Sequence, residues 1–209
     1  MLTIYQRFYE LPSPDKREIL RYSGVRGMAA EVEALLEECI TETASLFHPR
    51  VCWCALPLSE AKNIKEIGSI FSSKALSKHL EDCEQIVIFA ATVGIEIDRA
   101  IARYNTISPA KALLASAIGS ERIEALCDVF ENDLRNDSTK IKPRFSPGYS
   151  DLPIECQKDI FSLLDCPRRI GLTLTESMLM SPSKSVSAIT GRKNLEQRRS
   201  YEYLRFSEK

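Results

Sequence analysis

The chain has 209 residues, 44% of them apolar and 27% charged, enough to bury a sizeable core in one domain with at most a small appendage. Its 28 basic and 29 acidic residues nearly cancel, which excludes the electrostatic footprint of a nucleic-acid binder or of a protein held on an anionic membrane. No run is long and apolar enough for a signal peptide or a membrane span, and seven cysteines without a CxxC pair suit a reducing compartment, so a cytoplasmic protein is expected.

Ser13-Pro14-Asp15 predicts the start of a helix that runs through "KREILRY" to Ser23-Gly24. From about Met28, Val32, Leu35, Leu36, Cys39 and Ile40 recur at helical spacing and predict a second helix, closed by His48-Pro49. "RVCWCALPL" alternates as a strand. That alternation, with only two histidines in the chain and no zinc spacing, favours a strand over a metal site for Cys52-Trp53-Cys54. "SSKALSKHLEDC" reads as a short helix capped by Ser72 or Ser73. "QIVIFAATVG" is a continuous, β-branched apolar run, the pattern of a central strand covered on both faces.

A helix follows at "IEIDRAIARYN", and Ser108-Pro109 opens a long one in which Leu113, Ala117, Ile123, Leu126 and Phe130 are expected to face a core. Gly119 in its middle costs about 1 kcal/mol against alanine, which implies close packing or a kink. "DSTKIKPRFSPGYSDLP" is a long polar connection of the kind that is often functional. "IECQKDIFSLLD" predicts a helix and "SVSAIT" a strand. The expected architecture is α+β, mostly helical with a modest, largely antiparallel twisted sheet. Its parts are a helical extension over 1–50, an α+β core over 51–191 and a basic, aromatic tail over 192–209. The tail, with Arg198, Arg199, Tyr201, Tyr203 and Arg205, reads as a docking arm or as a solvated terminus.

GxGxxG, P-loop, HExxH and GxSxG patterns are missing, and neither His48 nor His79 stands beside a nucleophile. A self-contained hydrolase or redox enzyme is therefore disfavoured. The informative elements occur as an ordered set: "QIVIFAATVG", "RFSPGYSDLP", "QKDIFSLLD" and "RIGLTLTESMLMSPSKSVSAI". In that order they resemble the C-terminal activation domain of cobalamin-dependent methionine synthase, most clearly over residues 83–190.

The resemblance implies a C-shaped α+β domain that binds S-adenosylmethionine in a shallow groove. It implies docking on a cobalamin-carrying module, a flavodoxin-type electron donor, and methylation of the reduced cobalamin by S-adenosylmethionine. The chain has no D-x-H-x-x-G pattern, so the cobalamin would be held by a partner: a cobalamin-binding methionine synthase or a related corrinoid protein. The matching positions make Arg144 the partner of the ligand's carboxylate. They place Ser146 and Gly148 where main-chain groups reach the ligand, Tyr149 where a ring encloses it and Glu124 opposite its ammonium. Read one at a time, Arg144 and Glu124 also suit a structural ion pair and a solvated helix acid, Pro147-Gly148 a plain β-turn, and Tyr149 the edge of the core. Thr175, Glu176 and Ser177 match as well, and read as a polar triplet closing a strand.

The family's tyrosine-bearing hairpin after S-V-S has no counterpart in "TGRKNLEQRRSYEYLRFSEK". Two functions follow as expectations. The first is an accessory reactivation subunit that presents S-adenosylmethionine to a separate corrinoid protein. The second is a non-catalytic docking or assembly partner that has lost the ligand.

Overall fold

The computed structural model describes residues 2–25, 29–135 and 139–194. Strand β1 (Tyr5–Phe8) is followed by helices α1 (Lys16–Ser23) and α2 (Ala30–Thr43), then by β2 (Arg50–Pro57) and the short helix α3 (Leu58–Ala61). A 3-10 segment over Lys65–Ser72 leads into α4 (Lys74–His79), β3 (Gln85–Thr92), α5 (Glu96–Ile107) and α6 (Pro109–Asp133). After β4 (Thr139–Ile141) come α7 (Cys156–Leu164), α8 (Cys166–Ile170), the small hairpin of β5 (Thr173–Leu174) and β6 (Met180–Ser181), and β7 (Ser185–Asn194).

Five strands form one antiparallel sheet in the order β1-β2-β3-β7-β4. The strand β3 is the middle one, as its unbroken apolar run predicts, and its side chains divide by the two-residue period of a strand. Ile86, Ile88 and Ala90 enter the core under α7, α8 and the 3-10 segment; Val87, Phe89 and Ala91 enter the core under α5 and α6. Phe89 and Phe130 of α6 lie 4.8 Å apart between centroids, and both are fully buried. Each such side chain contributes about 1.5–3 kcal/mol through the area it removes from water.

The strand β2 shows the same division. Cys52 and Cys54 are fully buried on one side, while Trp53 stacks on Tyr5 at 5.5 Å on the other. The first 50 residues supply α1 and α2, which pack on α6, and also β1, which pairs with β2 in the common sheet. The amino-terminal cap of α1 is Asp15, whose carboxylate accepts from the Arg17 and Glu18 N–H groups; Pro14 stands outside the helix. Ser73 caps α4 by accepting from Leu76 N–H.

In α6, Ala117, Ile123, Leu126 and Phe130 are buried as expected, but Leu113 is 48% exposed. The sheet-facing stripe runs through Ala112, Ala115 and Ile123, with Ala117 and Ile118 turned toward α1 and α2; residue 113 falls between these contacts. No helix among the described residues is long and apolar enough to cross a membrane. Most of the expected tail, residues 195–209, lies outside the described residues; Arg192–Asn194 end β7.

Candidate ligand site on the long helix

Residues 143–153 form a loop pinned at three points. His79 donates from Nε2 to the Pro143 carbonyl (2.8 Å), which fixes the tautomer at the loop's entrance. Phe145 exchanges two main-chain hydrogen bonds with Ile189 of β7 and is buried against it. At the far end Asp151 accepts from the Lys74 and Ala75 N–H groups and from the Ser73 hydroxyl at the start of α4. Those bonds, that from Ser73 foremost, hold its carboxyl below the usual carboxylate range.

Between the pins lies a tight turn. Tyr149 N–H donates to the Ser146 carbonyl, Pro147 takes the first central position, and Gly148 the second with φ +88°. This is the type II turn, whose second central residue must have positive φ, which glycine adopts without a Cβ clash. Tyr149 is left 66% exposed, its ring edge-on to Phe145 at 5.2 Å.

Arg144 leaves this loop toward α6. Its guanidinium bonds Glu131 (2.9 Å), Asp128 (3.0 Å) and Glu124. Burial alone would lower its proton affinity, but the carboxylates outweigh that and hold it well above the ordinary arginine range. Glu131 is buried, Glu124 half-buried and Asp128 exposed. One cation thus faces three acids, leaving the cluster with an excess of two negative charges.

The acids belong to a larger pattern. From Leu114 to Glu131 the helix is buried nearly all round, and the polar residues left open are Ser116, Ser120, Glu124 and Asp128. Steps of four residues make one ridge of an α-helix. Arg144 reaches the lower two residues of that ridge; Lys184, from the loop before β7, reaches the upper two. The ammonium of Lys184 donates to Ser116 Oγ and Ser120 Oγ at 3.0 Å each.

The structure therefore brings Arg144 and Glu124 into direct contact and sets Ser146, Gly148 and Tyr149 in the adjoining turn. Sequence reasoning missed Asp128 and Glu131, although their offsets of four and seven from Glu124 place them on its face of the helix. It also missed Lys184, whose signal was indirect. Gly119 meets the Lys184 stem so closely that a Cβ there would lie 3.0–3.3 Å from its carbons, the close packing that a mid-helix glycine implies. Thr175 and Ser177 bond each other at 3.0 Å, and Thr175 Oγ1 accepts from Leu179 N–H, holding the β5–β6 hairpin loop.

The sequence model of the family described as "Vitamin B12 dependent methionine synthase, activation domain" matches residues 72–197, more than half of the chain. The chain belongs to that family. The activation-domain match includes β3, α6, the 143–153 loop and β7, the elements that build the site. Among solved structures, the chain is similar to one titled "Crystal Structure of the MetH Reactivation Domain bound to AdoHcy". The TM-score is 0.68 at 16% identity, over 91% of this chain and 78% of that one, a likeness of fold. A search of the curated proteins found no match.

Proposed function

We propose that this activation-domain protein binds S-adenosylmethionine over the open ridge of α6 and presents its methyl group to a cobalamin held by a separate corrinoid protein. The observation that carries the reading is the Arg144–Glu124 ion pair, which joins that ridge to the loop of the Pro147-Gly148 turn. A bound amino acid carries a carboxylate and an ammonium on the same carbon. It can enter such a pair by exchange, its carboxylate taking the Arg144 fork and its ammonium taking Glu124, while Arg144 keeps Asp128 and Glu131. The excess negative charge of the cluster suits the ligand's sulfonium. In this reading the Ser146 N–H and the Gly148 carbonyl are the main-chain groups that meet the ligand, since the Gly148 N–H and the Ser146 carbonyl hold the loop itself, and exposed Tyr149 supplies a ring face for the cation.

In this reading the chain positions two reactants and leaves the chemistry to them. The cobalamin belongs to a methionine synthase or related corrinoid partner, and its reduced cobalt takes the methyl group, leaving adenosylhomocysteine. A flavodoxin-type donor supplies the electron that reduces it.

Calorimetric titration of the purified chain with S-adenosylmethionine tests the site. Saturable binding that Arg144→Lys weakens at least tenfold supports it, since a lysine cannot reproduce the bidentate fork. No binding to the wild-type chain sinks it. That outcome favours the second reading, a docking or assembly partner of a corrinoid protein without a ligand of its own. One observation favours that reading: Glu124, Asp128 and Glu131 together meet both terminal nitrogens of the Arg144 guanidinium, as a purely structural ion cluster would.

A further inference from the structure

We infer that Lys184, with Ser116 and Ser120, holds the ribose hydroxyls of the ligand whose amino-acid end Arg144 and Glu124 take. The inference rests on the reading of S-adenosylmethionine at Arg144 and adds a second point of attachment, which fixes the direction in which the ligand lies.

The argument begins with the state of Lys184. It is half-buried, and its ammonium has three donors, of which two go to the Ser116 and Ser120 hydroxyls. No carboxylate pairs with it among the described residues. The nearby acid, Asp98, is engaged by the main-chain N–H and the hydroxyl of Ser183. Burial lowers the proton affinity of Lys184 and Asp98 partly opposes the shift. An ammonium withdrawn from water and met only by neutral oxygens is short of acceptors.

Its position is as informative as its state. Along the ridge, the midpoint of Ser116 and Ser120 lies eight residues from the midpoint of Glu124 and Asp128, about 12 Å at the rise of an α-helix. That spacing exceeds an amino acid and suits one joined through sulfur to a nucleoside. With the zwitterionic end at Arg144, the neutral nucleoside end falls at Lys184. A ribose offers two adjacent hydroxyls, each able to accept from the ammonium; the Ser116 hydroxyl can donate to one of them, and Ser120, whose own hydroxyl donates to the Ser116 carbonyl, can accept from the other. The three protein groups, one spare charged donor and two hydroxyls, match the hydrogen-bonding oxygens of such a diol, which an apolar ring does not offer.

Gly119 supports the same assignment. Its missing side chain lets the lysine stem lie flat on the helix, so the ammonium rests on the ridge instead of extending into solvent.

The test uses the full chain, S-adenosylmethionine and its 2′-deoxyribose and 3′-deoxyribose analogues, each titrated calorimetrically. The variant is Lys184→Met, which keeps an unbranched stem against Gly119 and removes the charge; its melting curve checks the fold. The wild-type chain should bind at least one deoxy analogue about tenfold more weakly than the parent ligand. Lys184→Met should bind the parent about tenfold more weakly than wild type and lose the discrimination between parent and analogue. A merely structural lysine would leave that discrimination in place, and this result overturns the inference. Unchanged affinity in Lys184→Met, with binding lost in Arg144→Lys, overturns it while sparing the site at Arg144. Absence of binding to the wild-type chain overturns both.

Discussion

Gly191 of β7 faces Cys83 so closely that a Cβ on it would stand 2.3 Å from the Cys83 sulfur and 2.8 Å from a methyl of Leu80. The strand pairs here with Ile86 of β3, and the Gly191 carbonyl accepts from Lys142 N–H, so its backbone is held on both sides. Gly191→Ala should therefore cost roughly 1–3 kcal/mol by overpacking. Urea denaturation would measure it. Adding Cys83→Ala should recover part of the loss; no recovery would mean that the Leu80 contact dominates.

Asp151 ties the candidate ligand loop to α4, 76–78 residues upstream. Its folded carboxyl titrates below its unfolded value, so the stability it contributes is fully present above the unfolded pKa of about 3.9 and is lost as pH falls through the lower folded value. Asp151→Asn should lower the urea midpoint at pH 7 and flatten the fall in stability below about pH 4. Asp82, held low by Lys142 and Lys193, titrates in the same direction and should keep part of that fall in the variant.

Removing Arg144 strands three acids, of which Glu131 is buried. Arg144→Ala should cost roughly 1–3 kcal/mol, mostly through the unpaired Glu131 carboxylate. Glu131→Gln in that background should restore a good part of it. Chemical denaturation of the single and double variants gives the comparison, and a double variant no more stable than Arg144→Ala would show that Glu131 is not the source.

All seven cysteines are buried as free thiols. Burial pushes Cys39 up to about 11 and Cys54 up to about 12, and Cys166 is raised further by the Cys52 thiol 3.8 Å away and by burial. The native protein at pH 8 should react with a thiol reagent only at the rate of unfolding, and should release seven equivalents in guanidinium chloride. A fast equivalent in the native state would point to an opening near one of these residues.

Much of the fold was legible because the strongest signals were periodic or compositional. The β-branched run of β3, the alternation of β2 and the Ser108-Pro109 start of α6 all mark elements present in the structure. What escaped was short or tertiary in origin. The strand β1 is four exposed residues that become a strand only by pairing with β2, and β4 is three residues that depend on β7. Leu113 escaped because α6 is buried against several neighbours at once, so no single stripe of its sequence marks the inside. In the candidate site, the Pro147-Gly148 turn and Glu124 were readable from sequence. The third and fourth members of the charge cluster followed from helix spacing once Glu124 was placed. Lys184 reaches the ridge across the fold, 64 and 68 residues from its serine partners, and no local pattern records such a meeting.

The place of β7 in the sheet bears on the order of folding. It is the last described strand in the chain, yet it inserts between β3 and β4, and Phe145 pairs with its Ile189. During synthesis, β3 must wait for a neighbour about 100 residues downstream, a long loop closure of the kind that slows folding. Until that strand emerges, an apolar sheet edge stays open to unwanted pairing and the 143–153 loop lacks the main chain that anchors its middle. The candidate site is thus assembled late in the life of each molecule, at the same step that closes the sheet.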